Sequence, residues 1–238
     1  MTFQQCDQVT PDPAYVGIAI KSTSQRHQRM HVGLLYRHSS GEVRFAHLAM
    51  HNDLRDDLLP IEPEFMWSDC AALSHPDALS EFVANFIEMC AQSKQIPYGP
   101  NPPEAALDEK GRYRSQDVRE GLTCATYVSS VLHGAGFPVV ELETWQGRPD
   151  DAEWWVPIQA YLNNAEPERA AELSEVTIGF RLRPDEVAVA STCRYPPLSF
   201  DNAVAQSQPL HQLLFPSLLP RTEVNASEIS SQSSIGQI

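Results

Sequence analysis

Two apolar runs joined by a short polar turn constrain the fold of this 238-residue chain most strongly. Residues 30–36 and 42–50 are rich in aliphatic and aromatic side chains, and the sequence between them is Arg37-His38-Ser39-Ser40-Gly41. A turn of this composition between two apolar runs predicts a β-hairpin. The apolar run 15–20 predicts a further strand, followed by the polar loop 21–29. The sequence therefore predicts an antiparallel sheet.

The hairpin brings two histidines together. A turn centred on Ser39 would pair His31 directly with His47, and the side chains of one face recur every second residue. Directly opposed side chains have Cβ atoms about 4.5–5.5 Å apart, so two imidazoles could act on one group. A turn longer or shorter by one residue would place them on opposite faces. Each histidine alone would be interpreted as a half-buried polar residue of the sheet, but as a pair we interpret them as functional.

A cysteine begins a predicted helix later in the chain. Counting from Cys124, the apolar residues Tyr127, Val128, Val131 and Leu132 have helical spacing, with Thr123 in front of the cysteine and Gly134 at the end. The unsatisfied backbone N–H groups and the dipole at a helix start favour a thiolate, and can lower a thiol pKa from about 8.5 to roughly 3.5–7.5. The sequence predicts a reactive thiol here, although a buried structural cysteine fits the same pattern.

Composition excludes several classes of protein. The chain has 31 acidic and 17 basic residues, a formal charge of −14, which opposes binding to nucleic acid or to anionic membranes. The five cysteines, at positions 6, 70, 90, 124 and 193, form no Cys-x-x-Cys pair, so neither a disulfide framework nor a zinc site is predicted. Without a signal sequence or a run of about 18 apolar residues, we expect a cytoplasmic protein with no membrane span, metal or cofactor. Export by a signal-independent route remains open.

The other segments complete an α+β prediction. They are a helix over 77–93, a charged loop over 104–120, an extended segment over 138–145, a helix over 151–162 that Pro157 would kink or shorten, a hairpin formed by 176–182 and 186–191, and a disordered tail over 221–238.

A thiol nucleophile needs a base to take its proton and a third group to orient that base. Cys124, His31 and His47 would provide these three roles. The remaining histidines lie in predicted loops, turns and helix ends. His51 follows His47 by four residues, a metal-binding spacing only on a helix, whereas this segment is predicted as a strand.

Three short motifs resemble those of a known family. They are His31-Val32-Gly33-Leu34-Leu35-Tyr36, Phe45-Ala46-His47-Leu48 and Thr123-Cys124-Ala125-Thr126-Tyr127-Val128. Together they resemble the circularly permuted branch of the NlpC-like, papain-fold cysteine hydrolases, which includes the lecithin retinol acyltransferase-like enzymes. The order His, His, Cys is the permuted order. The resemblance covers about residues 28–135.

The resemblance implies an antiparallel sheet packed on helices in a permuted papain-like fold. Residues 1–148 would form the catalytic domain, 149–220 a C-terminal extension packed on it, and 221–238 the tail. It implies that Cys124 is the nucleophile, His31 the base and His47 its orienting partner. Ile96-Pro97-Tyr98-Gly99 resembles a Pro-Tyr element, which makes Tyr98 a candidate for holding the oxyanion, beside the Cys124 backbone N–H.

Two departures bear on the substrate. The hairpin turn is longer than in the acyltransferase-like members, and Cys124 lies between Thr and Ala where those members usually have Asn before it and Glu-His after it. The sequence therefore favours a thiol protease, a peptidase or amidase-type hydrolase acting on a peptide, amide or acyl substrate. The alternatives are a thiol acyltransferase and a non-catalytic interaction protein of a bacterial secretion or toxin system. The substrate and the oligomeric state stay open.

Overall fold

The computed structural model describes residues 2–93 and 95–216 as an α+β protein. The strands are β1 (Gln4–Gln5), β2 (Val16–Ser24), β3 (Arg29–Arg37), β4 (Val43–Met50), β5 (Asp53–Leu58) and β6 (Met66–Asp69). The helices are α1 (Ala78–Ala91), α2 (Cys124–Gly134), α3 (Asp151–Ala165), α4 (Pro167–Glu172), α5 (Pro184–Thr192) and α6 (Phe200–Leu214). The predicted α+β class is confirmed; the finer permuted papain-like assignment stays a prediction.

The strands form one antiparallel sheet in the order β1-β6-β2-β3-β4-β5. Alternate residues of its central strands enter two separate cores. Ile18, Val32 and Leu34 belong to the large core that also contains the buried sides of α1, α2 and α5. Ala19 and Leu35 join a small cluster on the other face, together with Phe45, Phe65 and Trp67. Both faces of the sheet are therefore covered at its centre.

The predicted cysteine helix is confirmed as α2. The Thr123 side chain accepts a hydrogen bond from the Thr126 backbone N–H, and the Thr126 hydroxyl oxygen accepts one from the Thr123 backbone N–H. This reciprocal capping box satisfies two otherwise unpaired donors and fixes the first turn. The predicted helix over 77–93 is confirmed as α1, which Asp77 caps.

The predicted hairpin of 176–182 and 186–191 is wrong. Residues 176–183 are irregular, and the second segment lies in helix α5. Pro184 occupies the first helical position, where its missing N–H costs nothing, and the Arg183 backbone N–H donates to the Glu186 carboxylate. All nine residues of α5 are buried, so the apolar pattern contains no period that separates a helix from a strand.

The other predictions are confirmed to different extents. The helix predicted over 151–162 is α3, which extends to Ala165 with Pro157 inside it. Within residues 138–145, Val140 forms an isolated bridge to Leu198 and Leu142–Thr144 form a 3₁₀ turn. Residues 104–120 are irregular, as predicted for a loop. The predicted disordered tail, 221–238, lies outside the described residues.

Strands β1, β5 and β6 were not predicted. Of the helices that the structure describes, none has the length and apolar character needed to cross a membrane.

Candidate active site

The β3–β4 hairpin has a different register from the predicted one. Leu34 pairs with Ala46 and Arg37 with Val43, which centres the turn on Ser40 instead of Ser39. The prediction that His31 lies directly opposite His47 is therefore wrong, because the pairing is displaced by two residues and this register, extended along the strands, places Gly33 opposite His47. Side chains on one face of a strand recur every second residue, so a displacement by two residues keeps both histidines on the same face. They become diagonal neighbours instead of direct partners.

The two imidazoles are hydrogen-bonded to each other. His31 Nε2 lies 2.8 Å from His47 Nδ1, with the ring planes nearly perpendicular at 79°. Gly33 makes this approach possible, because a Cβ atom there would lie only 2.5 Å from the His47 Cβ. The His47 ring also stacks on Phe45, with centroids 4.5 Å apart. The glycine and the stacked ring together fix the orientation of His47.

An aspartate carboxylate extends the pair of hydrogen-bonded histidines to a series of three side chains. His47 Nε2 lies 3.0 Å from Asp57 Oδ2, and Asp57 is in β5, where it pairs with Phe45. Sequence analysis missed this residue because it missed β5. The segment Asp53-Leu54-Arg55-Asp56-Asp57 is charged, but Asp53, Arg55 and Asp57 recur with the period of two that a strand face requires.

When both histidines are neutral, only one assignment of their N–H protons gives each hydrogen bond of the series a donor and an acceptor. The ionised Asp57 only accepts hydrogen bonds, so His47 Nε2 carries the proton and donates it. His47 Nδ1 is then an acceptor, and His31 Nε2 must donate to it. The unprotonated nitrogen of His31 is therefore Nδ1. This atom is bonded to Cγ and lies on the backbone side of the ring.

The site favours neutral histidines. Burial, together with the charges of His47, Lys21 and Arg55, lowers the pKa of His31 to about 3. Burial also lowers the pKa of His47, although the hydrogen bond and charge of Asp57 oppose this effect. Burial outweighs the carboxylate because the imidazolium loses more solvation than one partly exposed Asp restores.

Cys124 lies at the start of α2 and belongs to the large core on the helix-covered face. Its residue surface is only 7% exposed. Burial raises the pKa of its thiol, while hydrogen bonding from the Val32 backbone N–H and the charge of Arg181 oppose the rise. The predicted lowering of this pKa is therefore wrong, because desolvation exceeds the stabilisation from the helix start.

The histidines and the cysteine approach β3 from different sides. His31 and His47 project to the face of the small cluster, whereas the Cys124 sulfur faces the Val32 backbone N–H from the large core. The β3–β4 ladder ends at Leu34 and Ala46, so Val32 lies beyond it. The sulfur thus meets the strand at the residue after His31. Direct action of His31 on Cys124 stays a prediction.

Tyr98, the predicted oxyanion donor, is buried in the same core as Cys124. It forms a parallel bridge with Leu122, two residues before Cys124, and its burial raises the pKa of its hydroxyl. The charge of Cys124 contributes to that rise, which places the two groups within electrostatic reach. Whether the hydroxyl binds an oxyanion stays a prediction.

A cleft of about 500 Å³ opens on the histidine face. It is lined by both histidines, Asp57, Lys21 and Phe65, among other residues. Within residues 2–93 and 95–216, no group of three or more His, Cys, Asp or Glu side chains is arranged to hold a metal ion. His51 lies in the turn between β4 and β5, and its Nδ1 accepts a hydrogen bond from the Tyr98 backbone N–H.

Comparison with known proteins adds no assignment: no protein-family model, curated protein or solved structure matches this chain. Any assignment of chemistry to the site is therefore argued from its geometry alone.

Proposed function

We propose that this protein is a cysteine hydrolase that cleaves an amide or ester bond through a thioester on Cys124. The observation that supports it best is the hydrogen-bonded series Asp57–His47–His31, which leaves His31 Nδ1 as a free base on the backbone side of its ring. A base oriented by a second group and placed one residue from a thiol contact fits nucleophilic catalysis. The permuted papain-like fold belongs to the same proposal.

The chemistry starts from a neutral pair, because burial raises the pKa of Cys124 and lowers that of His31. His31 Nδ1 takes the thiol proton while the sulfur attacks the carbonyl carbon, and the imidazolium then protonates the leaving nitrogen or oxygen. Water, deprotonated by the same Nδ1, cleaves the thioester and restores the thiol. The cycle requires Sγ to reach Nδ1 around the edge of β3, beyond the end of the β3–β4 ladder, once substrate is bound.

His47 and Asp57 act through His31. His47 holds the His31 ring by its 2.8 Å hydrogen bond, and Asp57 stabilises the positive charge that develops along the series. The Cys124 backbone N–H and the Tyr98 hydroxyl are the proposed donors to the tetrahedral oxyanion.

A non-catalytic binding role is the second candidate. It is favoured by the low exposure of Cys124 and by the burial that raises its pKa, since buried structural cysteines are inert. The two candidates differ in whether Cys124 can be acylated.

A p-nitrophenyl ester tests this difference directly. We expect the wild-type protein to release p-nitrophenol and to carry an acyl group on Cys124, located by peptide mass spectrometry. Cys124→Ala should lower turnover by at least about 10³-fold, as loss of a nucleophile does in related chemistry. Cys193→Ala, which removes a partly exposed cysteine in the same manner, is the matched control and should keep full activity.

Unchanged turnover in Cys124→Ala would rule out the proposal, and a folded wild-type protein without acylation would support the binding role. Adding an amine to the reaction separates hydrolysis from acyl transfer: an acylated amine as the main product would show a transferase.

A further inference from the structure

A second pocket lies at the start of strand β3, where the β2–β3 turn meets α3 and the irregular segment before α5. Its volume is about 310 Å³. Its wall includes Arg29 and Met30, the two residues that precede His31, and Met30 belongs to the same core as Cys124. This pocket therefore adjoins the strand that separates the candidate base from the candidate nucleophile.

The pocket is basic although the protein is strongly acidic. Four arginines line it against two carboxylates: Arg26, Arg29, Arg181 and Arg183 against Asp150 and Glu153. A concave site with an excess of one charge concentrates ligands of the opposite charge. The chain as a whole carries −14, so this excess of arginine is local.

The arginines differ in whether their positive charge is paired with a carboxylate. Arg183 binds both oxygens of Asp150, at 2.6 and 2.7 Å. Arg181 forms no ion pair or hydrogen bond with any residue in the described part of the chain, and its Nε is buried without a partner. Its guanidinium lies 4.1 Å from the centroid of the Trp154 ring. Trp154 thus holds the plane of the guanidinium in place and leaves its polar edge free.

An uncompensated guanidinium in a partly buried position is costly, and buried charges are normally paired. Burial and the neighbouring charge of Arg183 lower the pKa of Arg181 to about 10. The charge of Arg181 in turn acts on Cys124 and on Tyr98. The free edge of Arg181 therefore lies within electrostatic reach of the candidate nucleophile.

We propose that Arg181 binds a carboxylate of the acyl substrate, so that the hydrolase acts on acidic acyl or peptidyl groups. This inference rests on the proposed function and specifies its substrate class. A planar guanidinium matches a carboxylate by paired hydrogen bonds. A monoanion fits better than a phosphate dianion, because Asp150 already neutralises Arg183 and Glu153 adds a negative charge to the wall.

Two matched esters test the preference: the p-nitrophenyl monoester of glutaric acid and p-nitrophenyl pentanoate, which has a methyl group in place of the carboxylate. We expect the wild-type kcat/KM to be roughly 10- to 100-fold higher for the glutarate ester, the usual value of a hydrogen bond to a charged group. Arg181→Met should remove this preference, so that the two esters have the same kcat/KM.

A second variant avoids dependence on the folding of Arg181→Met. Glu153 is exposed on α3, and Glu153→Gln removes a negative charge from the pocket wall without disturbing the core. It should raise the preference for the glutarate ester. Equal kcat/KM for the two esters in the wild-type protein would overturn the carboxylate site and leave the hydrolase proposal standing.

Binding without turnover separates the two proposals. Calorimetric titration of Cys124→Ala with glutarate should show binding that Arg181→Met, in the same background, abolishes. Glutarate binding in a wild-type protein that is never acylated would support the anion site and refute the hydrolase. Inorganic phosphate bound more tightly than glutarate would overturn the assignment to a carboxylate.

Discussion

At the residue scale, the main feature is a chain of three side chains from three neighbouring strands. His47 is hydrogen-bonded to both His31 and Asp57, and with Asp57 ionised only one placement of protons keeps both imidazoles neutral. Burial enforces that neutral state, since it lowers the pKa of both histidines. His31 is therefore neutral at neutral pH, with a lone pair available on Nδ1.

Stability should depend on pH through His31. Its pKa is about 3 in the folded protein and about 6.5 in the unfolded chain, so between these values the unfolded chain binds the extra proton. This contribution is complete above pH about 6.5 and is lost as the pH falls towards 3, with a slope of at most about 1.4 kcal/mol per pH unit. Urea unfolding of wild type and His31→Gln across pH 4–7 measures it.

The variant should show the shallower dependence of unfolding free energy on pH. The difference between the two proteins isolates the contribution of the histidine from those of the other titratable groups. His75→Gln, which replaces an exposed histidine outside the site, is the control. Identical slopes in wild type and His31→Gln would show that His31 takes up its proton in the folded protein.

At the element scale, the hairpin and the two main helices could be predicted because each has a clear period and clear boundary residues. Thr123 and Asp77 mark the helix starts, and the Ser-Ser-Gly sequence marks the turn. The register could not be predicted. The hydrophobic pattern fixes which face a side chain occupies, but a shift by a whole pair preserves that pattern. The face of the two histidines was therefore predictable, and their diagonal contact was not.

Asp57 and Arg181 were missed for different reasons. Asp57 lies in β5, an edge strand of charged residues whose only signal is a weak alternation. Arg181 lies in an irregular segment that the sequence predicts as a strand, and its electrostatic effect on Cys124 depends on contacts between segments distant in the chain. The burial that raises the pKa of Cys124 is likewise a tertiary effect, which helix position alone could not indicate.

Gly33 tests the hairpin geometry. Gly33→Ala would place a methyl group 2.5 Å from the His47 Cβ and 2.7 Å from the Phe45 ring, so the strands or the ring must move. We expect a loss of about 1–3 kcal/mol in the free energy of unfolding, the usual cost of overpacking, and loss of the His31–His47 hydrogen bond. Chemical denaturation measures the first, and imidazole ¹⁵N shifts the second.

Gly179→Ala is the matched control, because no atom lies within 4 Å of the added methyl group. A Gly33→Ala protein with unchanged stability and unchanged imidazole shifts would contradict this geometry, because it would mean that the space between Gly33 and His47 accepts a methyl group.

At the scale of the whole molecule, the helices after residue 148 share the core of the sheet. Helix α5 packs against β2, β3 and α2, and its nine residues are all buried. Arg169 of α4 donates hydrogen bonds to the backbone carbonyls of Tyr98, Val118 and Glu120, which ties the loop before Cys124 to the C-terminal half. The candidate nucleophile is thus positioned by both halves of the chain.

This shared core predicts one cooperative unit of folding. Val189 is fully buried in α5, and Val189→Ala should lower the free energy of unfolding by about 1–3 kcal/mol through lost burial and a residual cavity. Val156→Ala, at a valine that is 64% exposed on α3, removes the same atoms from the surface and should cost much less.

Native-state hydrogen exchange distinguishes a shared core from two separate ones. If the core is shared, Val189→Ala speeds exchange of the β2 and β3 amides as much as that of α5; acceleration confined to α5 and α6 would show that the C-terminal helices unfold on their own, and Cys124 would then be held by the sheet and α2 alone.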